Sequence, residues 1–432
     1  MTRLLVLLLI AIPTAIPATA QHIPGYNYDE AAIPPYTLLD PLTLANGKQV
    51  NTAAQWTQQR RPEILRLFEA NEFGRTPADA HVPLRAHIVE EDRHALGGKA
   101  IRKQIDLYFT DRGEAGPHLR LLVYLPVQKP HAKPAPVILG LNFGGNQTVL
   151  DDPAIQPTAV WTRPKPALLL LHDAPDPKTR ATQVAEWQVE KVVAHGYGLA
   201  TAYYGDLEAD FKDASQIGIQ SSIRTLFPTP ADRDRWGALG AWAWGLSRAL
   251  DYLVTDPDVD AHHIAVTGHS RLGKAADWAA AQDLRFAALL STESGKGGQS
   301  LQRRGLGESV EHLEHSFPYW FCPAYAQWVG HDQQIPADGN LLLSLIAPRP
   351  VYVASAVGDE WSDPKGEFLS ALSASRVYKL LGPGGLPDQP MPAVDHPIAT
   401  GRVAYHVRAG KHDVTAFDWD QYLAFLDKQW PR

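Results

Sequence analysis

The sequence predicts an α/β fold: a mostly parallel sheet with helices on both faces, a three-layer sandwich. Three observations carry that expectation. Residues 137–142 and 264–267 are apolar runs without polar alternation, as strands covered on both faces require. Such runs alternate with helical stretches, 180–195 and 236–253 among them, and that alternation implies parallel strands joined by crossover helices. Residues 262–274 then read as strand, sharp turn and helix, with Ser270 at the apex between Gly268 and Gly273.

Residues 1–20 have the form of a secretory signal. Arg3 supplies the charge, 4–16 is apolar though broken by Pro13, and Ala18-Thr19-Ala20 is a small-x-small cleavage site. The run is too short for a spanning helix, so a mature chain from Gln21 and a secreted or periplasmic location are expected. Residues 21–432 are expected to form a single domain. Its first part, 21 to about 60, is Pro-rich (Pro24, Pro34, Pro35, Pro41) and should wrap the surface. Arg61-Pro62-Glu63 starts a helix through Ile64, Leu65, Leu67 and Phe68, ending near Gly74. Segments 100–108 and 119–125, within 81–127, read as antiparallel strands of the sheet's first edge. The strand at 137–142 ends in Phe143-Gly144-Gly145-Asn146, either a source of an oxyanion-binding N–H or a plain turn. A helix follows over 180–195 with Val184, Trp187, Val192 and Val193 inward and Gly196 closing it. Next come a strand at 198–204 and the Ala- and Trp-rich helix at 236–253. Insertions near 296–340 and 382–399 are expected on the elbow's side of the sheet, where excursions shape binding sites.

Composition narrows the function. A net charge of −7 and a pI near 6.2 argue against nucleic acid or a basic membrane-facing surface as partner. No stretch after the leader is apolar enough to cross a bilayer. Cys322 is the sole cysteine, so an exported chain must take its stability from a large core rather than disulfides. His312-x-Glu314-His315 has metal-like spacing but lacks a good third ligand nearby, so no metal or cofactor is expected.

Parallel strands end at one edge of their sheet, and ligands bind there. Four successive strand candidates end in a residue capable of catalysis: 264–267 before Ser270, 287–290 before Glu293, 350–354 before Asp359, and 403–407 before His412. Alone, Ser270 is equally an ordinary capping serine. Together the residues run serine, acid, histidine, the order of the α/β-hydrolase fold. A serine hydroxyl near neutral pH needs an imidazole to take its proton, and the imidazole needs a carboxylate to hold its tautomer. One acid suffices, so the choice between Glu293 and Asp359 stays open.

Gly268-His269-Ser270-Arg271-Leu272-Gly273-Lys274 resembles the elbow of the glucuronoyl esterases, carbohydrate esterase family 15, in which the second glycine also comes late. The likeness extends over residues 60–420: Asn142 to Asn146, Glu293-Ser294-Gly295-x-Gly297-Gly298, Arg303-Arg304, Gly307-Glu308-Ser309-Val310, Gly358-Asp359-x-Trp361 and His412. The resemblance implies an α/β-hydrolase that cleaves esters between (4-O-methyl-)glucuronic acid of glucuronoxylan and lignin alcohols. It implies Ser270 as nucleophile, His412 as base, Glu293 or Asp359 as acid, and Arg271 as a side-chain donor to the oxyanion. Lys274, Glu308 and Trp361 match positions that contact sugar hydroxyls. By spacing alone Lys274 is equally a solvated helix lysine, and core packing is the lesser alternative for Trp361. Lys296 departs from a family in which many members have a small residue there, and is expected to pair with Glu293. A monomer is expected, its partner the glucuronoxylan or lignin-carbohydrate ester. Two other readings are a xylan acetyl esterase of the same fold and a non-catalytic carbohydrate-binding protein.

Overall fold

A strand buried on both faces needs a packed layer on each side, and the computed structural model of the chain supplies both. It describes residues 22–77, 82–127, 133–162, 171–211, 222–227, 233–382 and 384–431; the expected leader lies outside them. The strands are β1 (Arg85–His94), β2 (Ala100–Tyr108), β3 (His118–Pro126), β4 (Ala135–Asn142), β5 (Val160–Thr162), β6 (Leu171–Asp173), β7 (Gly198–Tyr203), β8 (Val259–His269), β9 (Ala288–Thr292), β10 (Val351–Ala356) and β11 (Val403–Arg408). All but β5 and β6 join one nine-stranded sheet ordered β1-β2-β3-β7-β4-β8-β9-β10-β11. The first edge is antiparallel through to the β3–β7 pair. From β7 to β11 every pairing is parallel, as the sequence predicts.

Successive strand residues point to opposite faces, and each central strand divides its side chains between two cores. Val137, Leu139 and Leu141 of β4, Ile264 and Val266 of β8, and Val351 and Val353 of β10 pack with helices Ala238–Leu253, Arg271–Gln282 and Pro364–Leu381. Ile138, Ala265, Tyr352 and Ala354 face the other way, against Val192 and Val193 of helix Val189–Ala194 and Tyr422 and Leu426 of helix Ala416–Gln429. Each fully buried Val or Leu contributes about 1.5–3 kcal/mol, which suits a chain whose one cysteine is free and buried.

Three expectations need adjusting. The helix read from Arg61 starts earlier, at Ala53, where the Thr52 side chain caps it, and passes through a π turn at Trp56–Arg60. The helix read over 180–195 is two, Val184–Trp187 and Val189–Ala194, broken at Gln188 with φ 47°. Trp187 and Val189 are both buried, and positions two apart on one straight helix face apart. The insertion at 296–340 follows β9 and opens on the elbow's side, but that at 382–399 follows helix Pro364–Leu381 and so enters from the opposite edge. It climbs along the free side of β11: Ile398 pairs antiparallel with Tyr405, and the Asp395 N–H donates to the Val407 carbonyl at 2.8 Å. An otherwise open edge strand is thereby covered.

Candidate active site

The elbow is strained where it carries its serine. Strand β8 ends at His269 and the next helix starts at Arg271, with Ser270 between them at φ 57°, ψ −131°. Residues with a side chain rarely occupy that region, and such strain concentrates at functional turns. The Ser270 N–H donates to the Thr292 carbonyl at 3.0 Å and fixes the turn to β9. A Cβ at position 268 would stand 2.1 Å from the Leu272 carbonyl oxygen, so only glycine fits. A Cβ at 273 would meet the Ser294 side chain at 2.9 Å. The close neighbour that demands a glycine lies at 273 rather than 272, which accounts for the late glycine of the motif.

Strands β9, β10 and β11 deliver Glu293, Asp359 and His412 to the same edge. His412 Nδ1 lies 2.7 Å from Asp359 Oδ2 and 3.3 Å from Glu293 Oε2. Both acids therefore face one ring nitrogen. Asp359 is the closer. Burial works to raise its carboxyl, but the hydrogen bond and charge of His412, with help from Ser362, hold it below the usual range. Glu293 is fully buried and otherwise engaged: Arg408 Nη2 lies 3.1 Å from Oε1, and the Asp413 N–H donates to Oε2 at 2.8 Å. Burial dominates there and raises its pKa against the pull of His269 and His412. The His412 ring lies 4.5 Å from the ring of His269, the neighbour of Ser270, which sets it beside the elbow. With Nδ1 turned to the carboxylates, Nε2 is the nitrogen left to accept a proton.

Arg271 is clamped. Its guanidinium carbon lies over the rings of Trp320 at 4.7 Å and Phe317 at 5.4 Å, with Phe143 of the Gly-rich loop at 6.0 Å. Its Nη1 pairs with Asp210, whose carboxylate also accepts hydrogen bonds from Tyr319 and Trp320 at 2.7 Å and from Tyr204 at 3.0 Å. Burial lowers the guanidinium pKa and Asp210 more than restores it. In the Gly-rich loop the Gly145 N–H is already taken by the Asn142 side chain at 2.8 Å.

A third group lies around the acid loop. Lys274 Nζ donates to the Ser294 carbonyl at 2.6 Å and pairs with Glu308 at 3.2 Å. The Glu308 N–H donates to the Trp361 carbonyl at 2.9 Å. Trp361 is half-buried rather than a core residue. Its ring meets His312 at 4.8 Å and Tyr26 at 5.0 Å, edge to face. Tyr26 reaches it because the N-terminal segment folds over this loop, with Asn27 accepting from the Gly307 N–H and Glu30 pairing with Arg304 and Lys365. Lys274, Glu308 and Trp361 are thus one patch, one helical turn from Ser270.

Lys296 does not pair with Glu293. Arg408 takes that position, while Lys296 is fully buried, its ammonium pushed toward the neutral form by burial and faced by Asp363, Asp332 and Glu308. Among the described residues, the His/acid set able to offer three ligand atoms within 4.8 Å of one another is His269, Glu293 and His412. His312 instead hydrogen-bonds Tyr26 at 3.1 Å. Asp210, His269, Arg408 and Tyr26 were not singled out by sequence.

The sequence profile of fungal glucuronyl esterases matches residues 192–382. A carbohydrate esterase, MZ0003, from an unknown prokaryotic organism is 44% identical over 403 residues, covering 93% of this chain and 92% of that protein. A 4-O-methyl-glucuronoyl methylesterase of Podospora anserina is 39% identical over 80% of this chain and 60% of its own length. The solved glucuronoyl esterase from Solibacter usitatus superposes with a TM-score of 0.86 at 46% identity, covering 93% of this chain and all of that one. The chain belongs to the glucuronoyl esterases of carbohydrate esterase family 15, and it is a carboxylic ester hydrolase with the α/β-hydrolase fold.

Proposed function

We propose that the chain is an exported serine esterase that releases alcohols, lignin alcohols in particular, from (4-O-methyl-)glucuronate esters of glucuronoxylan. The observation that carries this is the His412–Asp359 pair at 2.7 Å beside the strained elbow. Ser270 Oγ attacks the ester carbonyl carbon while His412 Nε2 takes the hydroxyl proton. Arg271 donates to the developing oxyanion, and its Asp210 and aromatic clamp keeps it from having to reorganise as charge builds. Collapse breaks the bond to the alcohol, His412 returns its proton to the leaving oxygen, and the glucuronoyl group remains esterified to Ser270. Water attacks that ester by the same route in reverse, yielding the uronic acid and free serine.

Lys274, Glu308 and Trp361 hold the sugar, the first two through hydroxyls and Trp361 through its half-buried ring. Replacing Trp361 by alanine is expected to raise KM about tenfold on a glucuronate ester with a smaller change in kcat, since stacking of this kind binds ground and transition states alike. Export rests on the leader pattern in residues 1–20, and no helix among the described residues is long and apolar enough to cross a membrane. The monomeric state belongs to the same reading.

The substrate reading is tested by assaying one preparation on methyl and benzyl glucuronate esters and on acetylated xylan. Turnover of the glucuronates at least 100-fold faster is expected. Faster deacetylation would give the enzyme to the acetyl esterases of this fold instead.

A further inference from the structure

The elbow motif places a histidine immediately before the nucleophile, and the reaction as written gives it nothing to do. His269 is 14% exposed and lies in a row of alternating acids and imidazoles. Its Nδ1 stands 3.7 Å from Glu186 Oε1, and its Nε2 stands 3.4 Å from Glu293 Oε2. Glu293 then lies 3.3 Å from His412, which lies 2.7 Å from Asp359. The row therefore runs Glu186, His269, Glu293, His412, Asp359.

Consider the field at His412. A catalytic base must be neutral to accept the serine proton, and each carboxylate facing it favours the protonated ring. Two carboxylates face this one. Arg408 neutralises Glu293 only in part, because its Nε is held by Asp418 at 2.9 Å, an acid that also binds His406. Lys411 and Asp413, on either side of His412, are exposed and of opposite sign. That leaves His269 as the close cation available to Glu293 on the elbow side.

We propose that His269 is a positioning residue for the general base: a second, charged imidazole that offsets Glu293, so that His412 meets the net field of a single carboxylate. Phe143 packs edge-on against the His269 ring at 6.3 Å. Trp419 fixes the Glu186 segment by donating to the Glu186 carbonyl at 2.7 Å. Burial alone would drive His269 toward neutrality, but Glu186 and Glu293 outweigh it and lift its pKa to about 9. The geometry also explains how the chain keeps two acids in place of the single one a triad requires. Glu293 organises the backbone of the His412 loop through the Asp413 N–H, and His269 cancels the electrostatic side effect of doing so.

The test is the pH dependence of kcat/KM on methyl glucuronate. In His269→Gln, which keeps a neutral donor and removes the charge, the acid limb is expected to move to higher pH by about one unit. In His269→Asn, a second neutral amide at the same position, it should move the same way. The sign for stability is independent. A histidine whose pKa is raised on folding contributes stability fully present below 6.5 and lost as pH rises through about 9. The fall in Tm across that window should therefore be smaller in His269→Gln. An acid limb unmoved in both variants, whatever the loss in kcat, overturns the proposal; should His269→Gln fail to fold, an unmoved limb in His269→Asn does so alone. The inference rests on the triad reading, and the two fail differently: activity surviving Ser270→Ala sinks the triad, whereas a static limb with Ser270→Ala inactive sinks only the role of His269.

Discussion

Ser270→Ala is expected to lower kcat/KM on a methyl glucuronate ester by about three orders of magnitude or more, with thermal unfolding close to that of the parent. The elbow should survive the change. Its geometry is held by backbone: the Ser270 N–H on the Thr292 carbonyl, the Lys274 N–H on the Ser270 carbonyl, and the two flanking glycines. The hydroxyl makes no capping bond to the helix it precedes. Alanine also has a Cβ, so it adds no strain at φ 57° beyond what serine already bears. What remains in the variant is the clamped Arg271 and the sugar patch, which still orient substrate and polarise its carbonyl, and some residual rate is expected from them. Labelling by a fluorophosphonate should disappear at the same time. A variant that still turns over at the parent rate would remove Ser270 from the chemistry and with it the reading of the elbow.

What was legible beforehand was whatever the sequence expresses locally. Continuous apolar runs mark the parallel strands because each is packed on both faces, and the residues after the strands mark one candidate edge because parallel strands share it. That rule picks out Ser270, Glu293, Asp359 and His412, and the structure sets them after strands that share one edge. The same rule applied to β7 points to the segment after Tyr203, and so to Asp210, which clamps Arg271. It was missed because that segment is irregular and holds several acids. Arg408 was hidden for another reason: it closes β11, where a basic residue reads as an ordinary strand end, and only the fold brings it to Glu293. Lys296 misled through proximity in sequence. Three residues from Glu293, it turns instead toward the acids of the 296–340 insertion and the acid loop. Tyr26 lies more than 300 residues from Trp361, and no local pattern links them.

The two acids should separate cleanly by what each variant loses. Asp359→Asn is expected to cost about 10³-fold in kcat/KM, with a modest loss of stability. The amide preserves the shape but no longer holds the Nδ1 proton or stabilises the imidazolium. The loss stops short of a lone-acid triad because Glu293 already stands 3.3 Å from the same nitrogen. Glu293→Gln should do the reverse. It deprives the buried guanidinium of Arg408 of one of its two carboxylates and weakens the tie to the Asp413 N–H. Gln has one oxygen for the two donors that Glu293 accepts from, Arg408 and the Asp413 N–H, and a buried donor left unpaired costs about 1–3 kcal/mol, to be read as a lower midpoint in urea unfolding, while kcat/KM falls by about tenfold, since Asp359 still orients His412. The pH behaviour of the stability follows the same division. Asp359, with its pKa held low, contributes stability present above the ordinary aspartate range and lost as pH falls through its folded value. Glu293, raised by burial, opposes folding while charged and is relieved as acid protonates it. Acid unfolding in Asp359→Asn should therefore begin from a plateau with less stability left to lose. Equal activity losses in the two variants, with equal unfolding midpoints, would mean that the acids share one task and that the 2.7 Å and 3.3 Å distances do not rank them.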